Sequence, residues 1–165
     1  MPLIPDNATF QKSLADLPIV TFQAGETVIA GGSKTGRLLI LRKGTVAILK
    51  DETEIARVAE PGAVFGELSI LLDQPHTADV CAVESSQFHV ADATELLAKN
   101  PIAVLYVATV LAHRLVGANH ALIQLKNEIR TGEPRNVVAK TVRKMEGLLT
   151  VGSLVYAGYP YDPFA

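Results

Sequence analysis

The sequence lacks the residues that would build a disulfide framework or a strong electrostatic field. Its 165 residues include a single cysteine, Cys81, and no tryptophan. One cysteine excludes an intramolecular disulfide and any zinc site built from several thiolates, and it is typical of a reducing compartment. The formal net charge of −2 gives no bulk basic field for nucleic acid or an anionic membrane. We therefore expect neither DNA nor a membrane as a partner.

Targeting signals and long apolar runs are also scarce. The start, MPLIPDNATFQKSL, has no basic stretch followed by an apolar run, so no secretory signal is predicted. The most apolar segment, Ile102 to Ala112, ends after 11 residues at His113 and Arg114. A membrane-spanning helix needs roughly 20 such residues. We expect a cytoplasmic protein.

The composition is that of a folded chain, with 48% apolar and 19% charged residues. A short helix is predicted over residues 7–17, with Asn7 as its cap and Pro18 after its end. Its apolar positions Phe10, Leu14 and Leu17 fall on one face.

Residues 19–91 predict a closed sandwich or barrel, because short β-rich runs alternate there with glycine and proline turns. The runs are IVTFQ from Ile19, TVIA from Thr27, RLLILR from Arg37, TVAILK from Thr45, EIARVA from Glu54, DVCAVES from Asp79 and QFHVA from Gln87. The continuous apolar run Leu38 to Leu41 suits a strand that is buried on both faces.

Residues 92–130 predict two helices. Asp92 caps a short one over 93–99, and Pro101 opens a second that continues without proline to Arg130. Residues 131–165 form a C-terminal extension, with a possible short helix over Arg135–Leu149 and an irregular tail. We assign residues 1–130 to one domain.

The segment FGELSILLDQPHTADV, Phe65 to Val80, has the composition of an anion site. Leu68 to Leu72 can form one helical turn whose free amides lie near Gly66 and Glu67. Gly66 permits close backbone approach, and the Glu67 carboxylate can accept hydrogen bonds from a sugar hydroxyl. Thr77 and the amides beside it add donors.

This segment resembles the phosphate-binding cassette of cyclic nucleotide-binding domains, the family of the catabolite activators and of kinase regulatory subunits. The pattern is Phe-Gly-Glu-Leu, a short helix and Pro-Arg-Ser/Thr-Ala, and the resemblance covers roughly residues 7–130. It implies a mainly β fold, an eight-stranded double-stranded β-helix (jelly roll) flanked by an N-terminal helix and a long C-terminal helix. It implies cAMP or cGMP as ligand, with no metal.

Carried over by position, the resemblance gives each cassette residue a role. Gly66 and Leu68 would offer backbone near ribose and phosphate, Glu67 would bind the ribose 2′-hydroxyl, and Thr77 and Ala78 would bind the phosphate. His76 stands where the family has its phosphate-binding arginine. Losing that charged donor should cost about 1.5–3 kcal/mol of binding free energy.

Other interpretations stand beside these roles. Glu67 can cap the short helix or pair with a nearby cation instead of binding ribose. His76 can be a surface-loop histidine in a pocket that has lost its ligand, and the whole fold can be a ligand-free module for protein interaction and dimerisation. Asp79 would repel phosphate if it shared the face of Thr77. A cupin-type enzyme is not expected, because the His-x-His pattern of its metal site is missing.

The long helix also carries a heptad pattern, which we call the seam. Its apolar positions follow a spacing of 4, 3, 4, 3, 4, 3, 4: Val104, Ala108, Leu111, Leu115, Ala118, Leu122, Leu125 and Ile129. Such a pattern is typical of a coiled coil. We expect a homodimer through the helix around Leu111–Ile129. The last 35 residues show no helix-turn-helix, so the sequence predicts a sensor without its own output domain. We expect no enzyme activity, because no Ser/His/Asp or Cys/His grouping and no kinase signature is present.

Overall fold

The computed structural model describes residues 7–131, which form eight antiparallel strands and four helices. The strands are β1 (Ile19–Phe22), β2 (Thr27–Ile29), β3 (Arg37–Lys43), β4 (Val46–Lys50), β5 (Thr53–Val58), β6 (Val64–Phe65), β7 (Asp79–Ala82) and β8 (Ser86–Asp92). The helices are α1 (Asn7–Ser13), α2 (Glu67–Leu71), α3 (Ala93–Lys99) and α4 (Pro101–Thr131). The jelly roll with a helix before it and a long helix after it is confirmed. The helix expected over Arg135–Leu149 and the tail lie outside the described residues.

The strands form two four-stranded sheets, in the orders β1-β8-β3-β6 and β2-β7-β4-β5. Strand β3 is buried on both faces, as its apolar run predicts. Leu39 and Leu41 lie in the core between the sheets, whereas Leu38 and Ile40 face the helices. This alternation follows from the two-residue period of a strand, and it places β3 between two hydrophobic cores.

Helix α1 is shorter than expected, because it ends at Ser13 instead of Leu17. The Ser13 hydroxyl donates to the Phe10 carbonyl at 2.7 Å, and the amide of Leu17 bonds the carbonyl of Leu14 at 3.0 Å. A serine side chain that bonds the local backbone competes with the helical ladder, and Pro18 disfavours a helical Leu17. Phe10 and Leu14 are still buried together, as predicted.

The two C-terminal helices begin where the sequence predicts. The Asp92 carboxylate accepts from the amide of Glu95 at 2.8 Å and caps α3. Asn100 Oδ1 accepts from the amide of Ala103 at 3.0 Å at the start of α4. By length and composition alone, Pro101–Asn127 is apolar enough to cross a membrane, with a mean hydropathy of 1.6. One side of this helix nevertheless packs on the barrel.

Helix α4 has two apolar stripes. The barrel-facing stripe consists of Ala103, Tyr106, Val107 and Val110, all buried in the core beside the helices. Tyr106 stacks on Phe10 with ring centroids 3.8 Å apart. The seam is different: Val104 and Leu122 are exposed, and Leu111 is half-buried. The side chain of Ile129 lies outside the described side chains.

Candidate functional site: the cassette cavity

The cassette leaves strand β6 through a sharp backbone turn at Gly66. Gly66 has φ 93°, and a Cβ there would lie 2.5 Å from the carbonyl oxygen of Arg37. A left-handed φ and this close approach both require glycine. Helix α2 follows directly at Glu67, one residue earlier than the predicted turn.

The return segment is tied to the loop between β2 and β3. The Ser69 hydroxyl donates to the carbonyl of Gln74 and closes the end of α2. The amide of His76 donates to the carbonyl of Ser33 at 2.8 Å, and the amide of Gly32 donates to the carbonyl of His76 at 2.8 Å. These paired backbone bonds fix the position of His76 independently of its side chain.

All six predicted site residues line one cavity of about 140 Å³. They are Gly66, Glu67, Leu68, His76, Thr77 and Ala78. The floor is apolar and includes Ile29, Ile48 and Val80 from the second sheet. Thr77 and Leu68 are exposed at its rim, and Ala78 is half-buried. The structure therefore brings the cassette residues together around a single concavity.

Glu67 is buried, with 4% of its surface exposed, and it forms an ion pair with Arg114 of α4. Arg114 donates to Oε1, whereas Oε2 accepts no hydrogen bond within residues 7–131. The buried Nε of Arg114 has no partner among the described residues. The pair connects the cassette to the long helix and leaves both an acceptor and a donor unused.

The sequence reasoning missed Arg114, although a signal was present. It is the only Asp, Glu, Lys or Arg between Pro101 and Leu125, the first 25 residues of α4. A lone charge on such a helix marks a specific partner, since burying it unpaired would be costly. The partner, 47 residues away, does not follow from any local pattern.

His76 is buried and not a surface-loop histidine, with 7% of its surface exposed. Its Nε2 lies 3.1 Å from the Thr35 hydroxyl, a second contact that the sequence did not reveal. Burial lowers the pKa of His76 below its ordinary value, and the nearby Glu67 carboxylate opposes that shift only in part. The imidazole is therefore neutral at pH 7 and does not replace the permanent charge of an arginine.

Asp79 is not among the residues that line the cavity, so the condition for its repelling a phosphate there is not met. Its carboxylate accepts from the amide of Gly31 at 2.7 Å. It lies at the start of β7, two residues after Thr77, and the cavity lining does not include it. Within residues 7–131 there is no group of three or more potential metal-ligating side chains.

Comparison with known proteins points to the family that the cassette resembles. Residues 19–99 match the family model of the cyclic nucleotide-binding domain. The chain is 38% identical over 63 residues to a cGMP-dependent protein kinase of Toxoplasma gondii, covering 38% of this chain and 6% of the kinase. It is 34% identical over 76 residues to a cAMP-dependent protein kinase regulatory subunit of Mucor circinelloides f. lusitanicus, covering 44% and 18% respectively. The chain therefore spans a small part of these relatives.

Solved structures share the fold. A cAMP-bound PfPKA-R superposes with a TM-score of 0.51 at 26% identity, over 58% of this chain and 34% of that chain. The Thermus thermophilus catabolite activator protein superposes with a TM-score of 0.57 at 19% identity, over 94% of this chain and 84% of that chain. The second match shows the fold alone.

Proposed function

Because the chain contains a domain of the cyclic nucleotide-binding family, matched over residues 19–99, we propose that it is a regulatory sensor of cAMP or cGMP. The observation that supports this is the convergence of Gly66, Glu67, His76, Thr77 and Ala78 on one cavity. Named relatives include a cGMP-dependent kinase and a cAMP-dependent regulatory subunit. The kinase match covers 6% of that protein, so it supports ligand control and not phosphoryl transfer.

In this proposal, each cassette residue contacts a particular part of the nucleotide. The free Oε2 of Glu67 would accept from the ribose 2′-hydroxyl, while Arg114 holds the carboxylate in place. The amides at Gly66 and Leu68 would meet ribose and phosphate, and Thr77 and Ala78 would donate to the phosphate. His76, as a neutral ring, would contribute a single hydrogen bond in place of a bidentate, charged one.

Binding requires the site to open. Pockets for ligands of this size occupy roughly 300–1,000 Å³, and the cassette cavity measures about 140 Å³. Arg114 is the lining residue that belongs to α4. Entry of the nucleotide would therefore displace α4 at Arg114, and this displacement is the signal that we propose for the sensor.

Isothermal titration with cAMP and with cGMP tests the proposal, and His76→Arg sharpens it. We expect weak binding by the wild type and binding tighter by about 1.5–3 kcal/mol in the variant, roughly ten- to a hundredfold. Lys50→Arg, an exposed change at the end of β4, is the matched control and should leave the affinity unchanged. If neither the wild type nor His76→Arg binds either nucleotide, the sensor function is wrong.

The second candidate is a ligand-free module for dimerisation and protein interaction. It is favoured by the Glu67–Arg114 ion pair, which ties α4 to the cassette, and by the small cavity. The same titration separates the two, because a cassette that Arg114 closes permanently would not respond to His76→Arg.

We further propose that the protein is a cytoplasmic homodimer joined through α4 around Leu111–Ile129, with no role for DNA or a membrane. In support, Leu115 is 63% exposed and Leu122 is 59% exposed. Exposed apolar side chains at heptad spacing mark an interface. The seam of a second copy would cover them in an isologous arrangement.

A further inference from the structure

The cassette holds no permanent positive charge that is free for a phosphate. Arg114 is paired with Glu67, and the ammonium group of Lys34 is paired with Asp73 at 2.5 Å. His76 is neutral, since burial lowers its pKa. The two ion pairs cancel, so an incoming cyclic phosphate monoanion would meet no counter-charge from these groups.

Arg37 lies directly against this site and has no ion pair within residues 7–131. Its carbonyl oxygen is the atom that a Cβ on Gly66 would meet at 2.5 Å. The hydroxyl of Thr35 lies between Arg37 and the cassette, 3.4 Å from the Arg37 amide and 3.1 Å from Nε2 of His76. The backbone of Arg37 is therefore in contact with the turn that opens the cassette.

Arg37 is an exposed residue at the start of β3, and its position in the strand places it on the same side as the inner face of the barrel. It alternates in phase with Leu39, which lies in the core between the sheets. Arg37 and Thr35 line a second cavity of about 360 Å³, whose remaining walls are apolar. The two cavities share no lining residue, and the Thr35–His76 contact lies at their boundary.

The acidic residue opposite Arg37 in the strand register does not form an ion pair with it. Asp92 is its Cα partner across β3 and β8. The Asp92 carboxylate instead accepts from the amide of Glu95 as the cap of α3. Arg37 therefore keeps an uncommitted guanidinium on a long stem that can turn toward an anion.

We propose that Arg37, on strand β3, supplies the guanidinium for the nucleotide phosphate that the cassette lacks at His76. The phosphate would then lie at the Thr35–His76 boundary, with Arg37 on one side and the Thr77 and Ala78 amides on the other. This inference depends on the proposed cyclic nucleotide binding and adds one phosphate-binding residue to it. The ligand class is a nucleotide with a singly charged cyclic phosphate.

Titration of two matched variants with two ligands tests the assignment. Arg37→Met keeps most of the stem and removes the charge. Arg42→Ala removes one positive charge from the same strand, where the Arg42 guanidinium bonds the side-chain carbonyl of Gln87 at 2.7 Å. The ligands are cAMP and adenosine, which lacks the phosphate. We expect Arg37→Met to weaken the affinity for cAMP roughly ten- to a hundredfold and to leave the affinity for adenosine unchanged. Arg42→Ala should change neither affinity by more than about twofold.

A double-mutant cycle that combines Arg37→Met with His76→Arg measures the coupling between the two positions in cAMP affinity. A purely structural role of Arg37 would give no such coupling. If both guanidinium groups serve the same phosphate, Arg37→Met should cost less in the His76→Arg background than in the wild type. A urea unfolding curve for each variant confirms that the fold is intact.

The failures of the two proposals are distinguishable. Wild-type binding of cAMP that Arg37→Met leaves unchanged overturns the role of Arg37 and leaves the sensor function standing. Equal losses for cAMP and adenosine also overturn it, because they indicate a structural contribution. No cAMP binding by the wild type or by His76→Arg overturns both.

Discussion

The two apolar stripes of α4 consist of similar residues, but one is buried against the barrel and the other is largely exposed. The barrel-facing stripe is at most 5% exposed, at Val110. In the seam, Leu115 and Leu122 are 63% and 59% exposed. Arg114 lies where the helix leaves the barrel, and it is the residue that contacts the cassette. A single barrel can bury one side of a helix only, and the cover that we propose for the second stripe is the seam of a second copy.

The largest expected effect comes from placing charge in the seam. Leu115→Asp with Leu122→Asp would bury four carboxylates in the dimer, and each unpaired buried charge costs about 3–5 kcal/mol. We expect a folded monomer by light scattering with an unchanged far-ultraviolet circular dichroism spectrum. The control is His113→Asp with His120→Asp, two exposed positions outside the seam. A wild type that is already monomeric would show that the seam is not a dimer contact.

Truncation of the barrel-facing contacts should cost stability instead of assembly. Phe10 is 1% exposed and stacks on Tyr106, whose hydroxyl donates to the Gly62 carbonyl at 3.3 Å. We expect Phe10→Ala to lower the free energy of unfolding by about 3–5 kcal/mol. Urea unfolding measures it in the Leu115→Asp, Leu122→Asp background, so that dimerisation does not contribute.

The matched truncation on the other stripe is Val104→Ala, which removes a side chain that is exposed in the monomer. It should change the free energy of unfolding by less than about 0.5 kcal/mol in the same background. Comparable losses for Phe10→Ala and Val104→Ala would contradict the difference between the stripes.

Loss of the Glu67–Arg114 ion pair, which connects α4 to the cassette, should destabilise the protein less than Phe10→Ala and more than Val104→Ala. Arg114→Met leaves the Glu67 carboxylate buried without its partner. We expect the free energy of unfolding to fall by about 2–3 kcal/mol. This is below the full cost of breaking a buried ion pair, because the Arg114 side chain is 23% exposed. Glu67→Gln in the same chain should recover part of it. A double-mutant cycle by urea unfolding measures the coupling, and additive losses would show that the pair does not hold the helix to the cassette.

The sequence predicted what depends on local pattern. Short strands between glycine turns, the doubly buried run of β3, the Asp92 cap and the Pro101 start all follow from residues within a few positions of each other. The end of α1 was wrong because the Ser13 hydroxyl bonds the backbone locally. The binding roles of the cassette and the dimer remain predictions.

What the sequence did not give is the set of contacts between distant segments. Arg114 reaches Glu67 across 47 positions, and Thr35 reaches His76 across 41. Only folding brings these side chains together, so their identity follows from the sheet order and from the position of α4. Arg114 offsets the charge of Glu67, and Thr35 gives His76 a hydrogen-bond partner. The motif alone reveals neither contact.

The last expected effect is a pH dependence of stability that comes from the two buried histidines of the barrel. His76 and His89 are buried, and burial lowers the pKa of each. At His76, the Glu67 carboxylate partly opposes this lowering of the pKa. At His89, the hydrogen bond with the Leu17 backbone opposes it, whereas the charge of Arg42 adds to it. Near pH 6.5 and below, the unfolded chain therefore binds more protons than the native one, and the free energy of unfolding falls as pH falls. The slope between pH 7 and 5.5 is at most about 1.4 kcal/mol per pH unit for each histidine. Urea unfolding at several pH values should give a flatter slope for His89→Gln and for His76→Gln than for the wild type. If both variants keep the slope of the wild type, the pH dependence does not come from these two histidines and the burial argument fails.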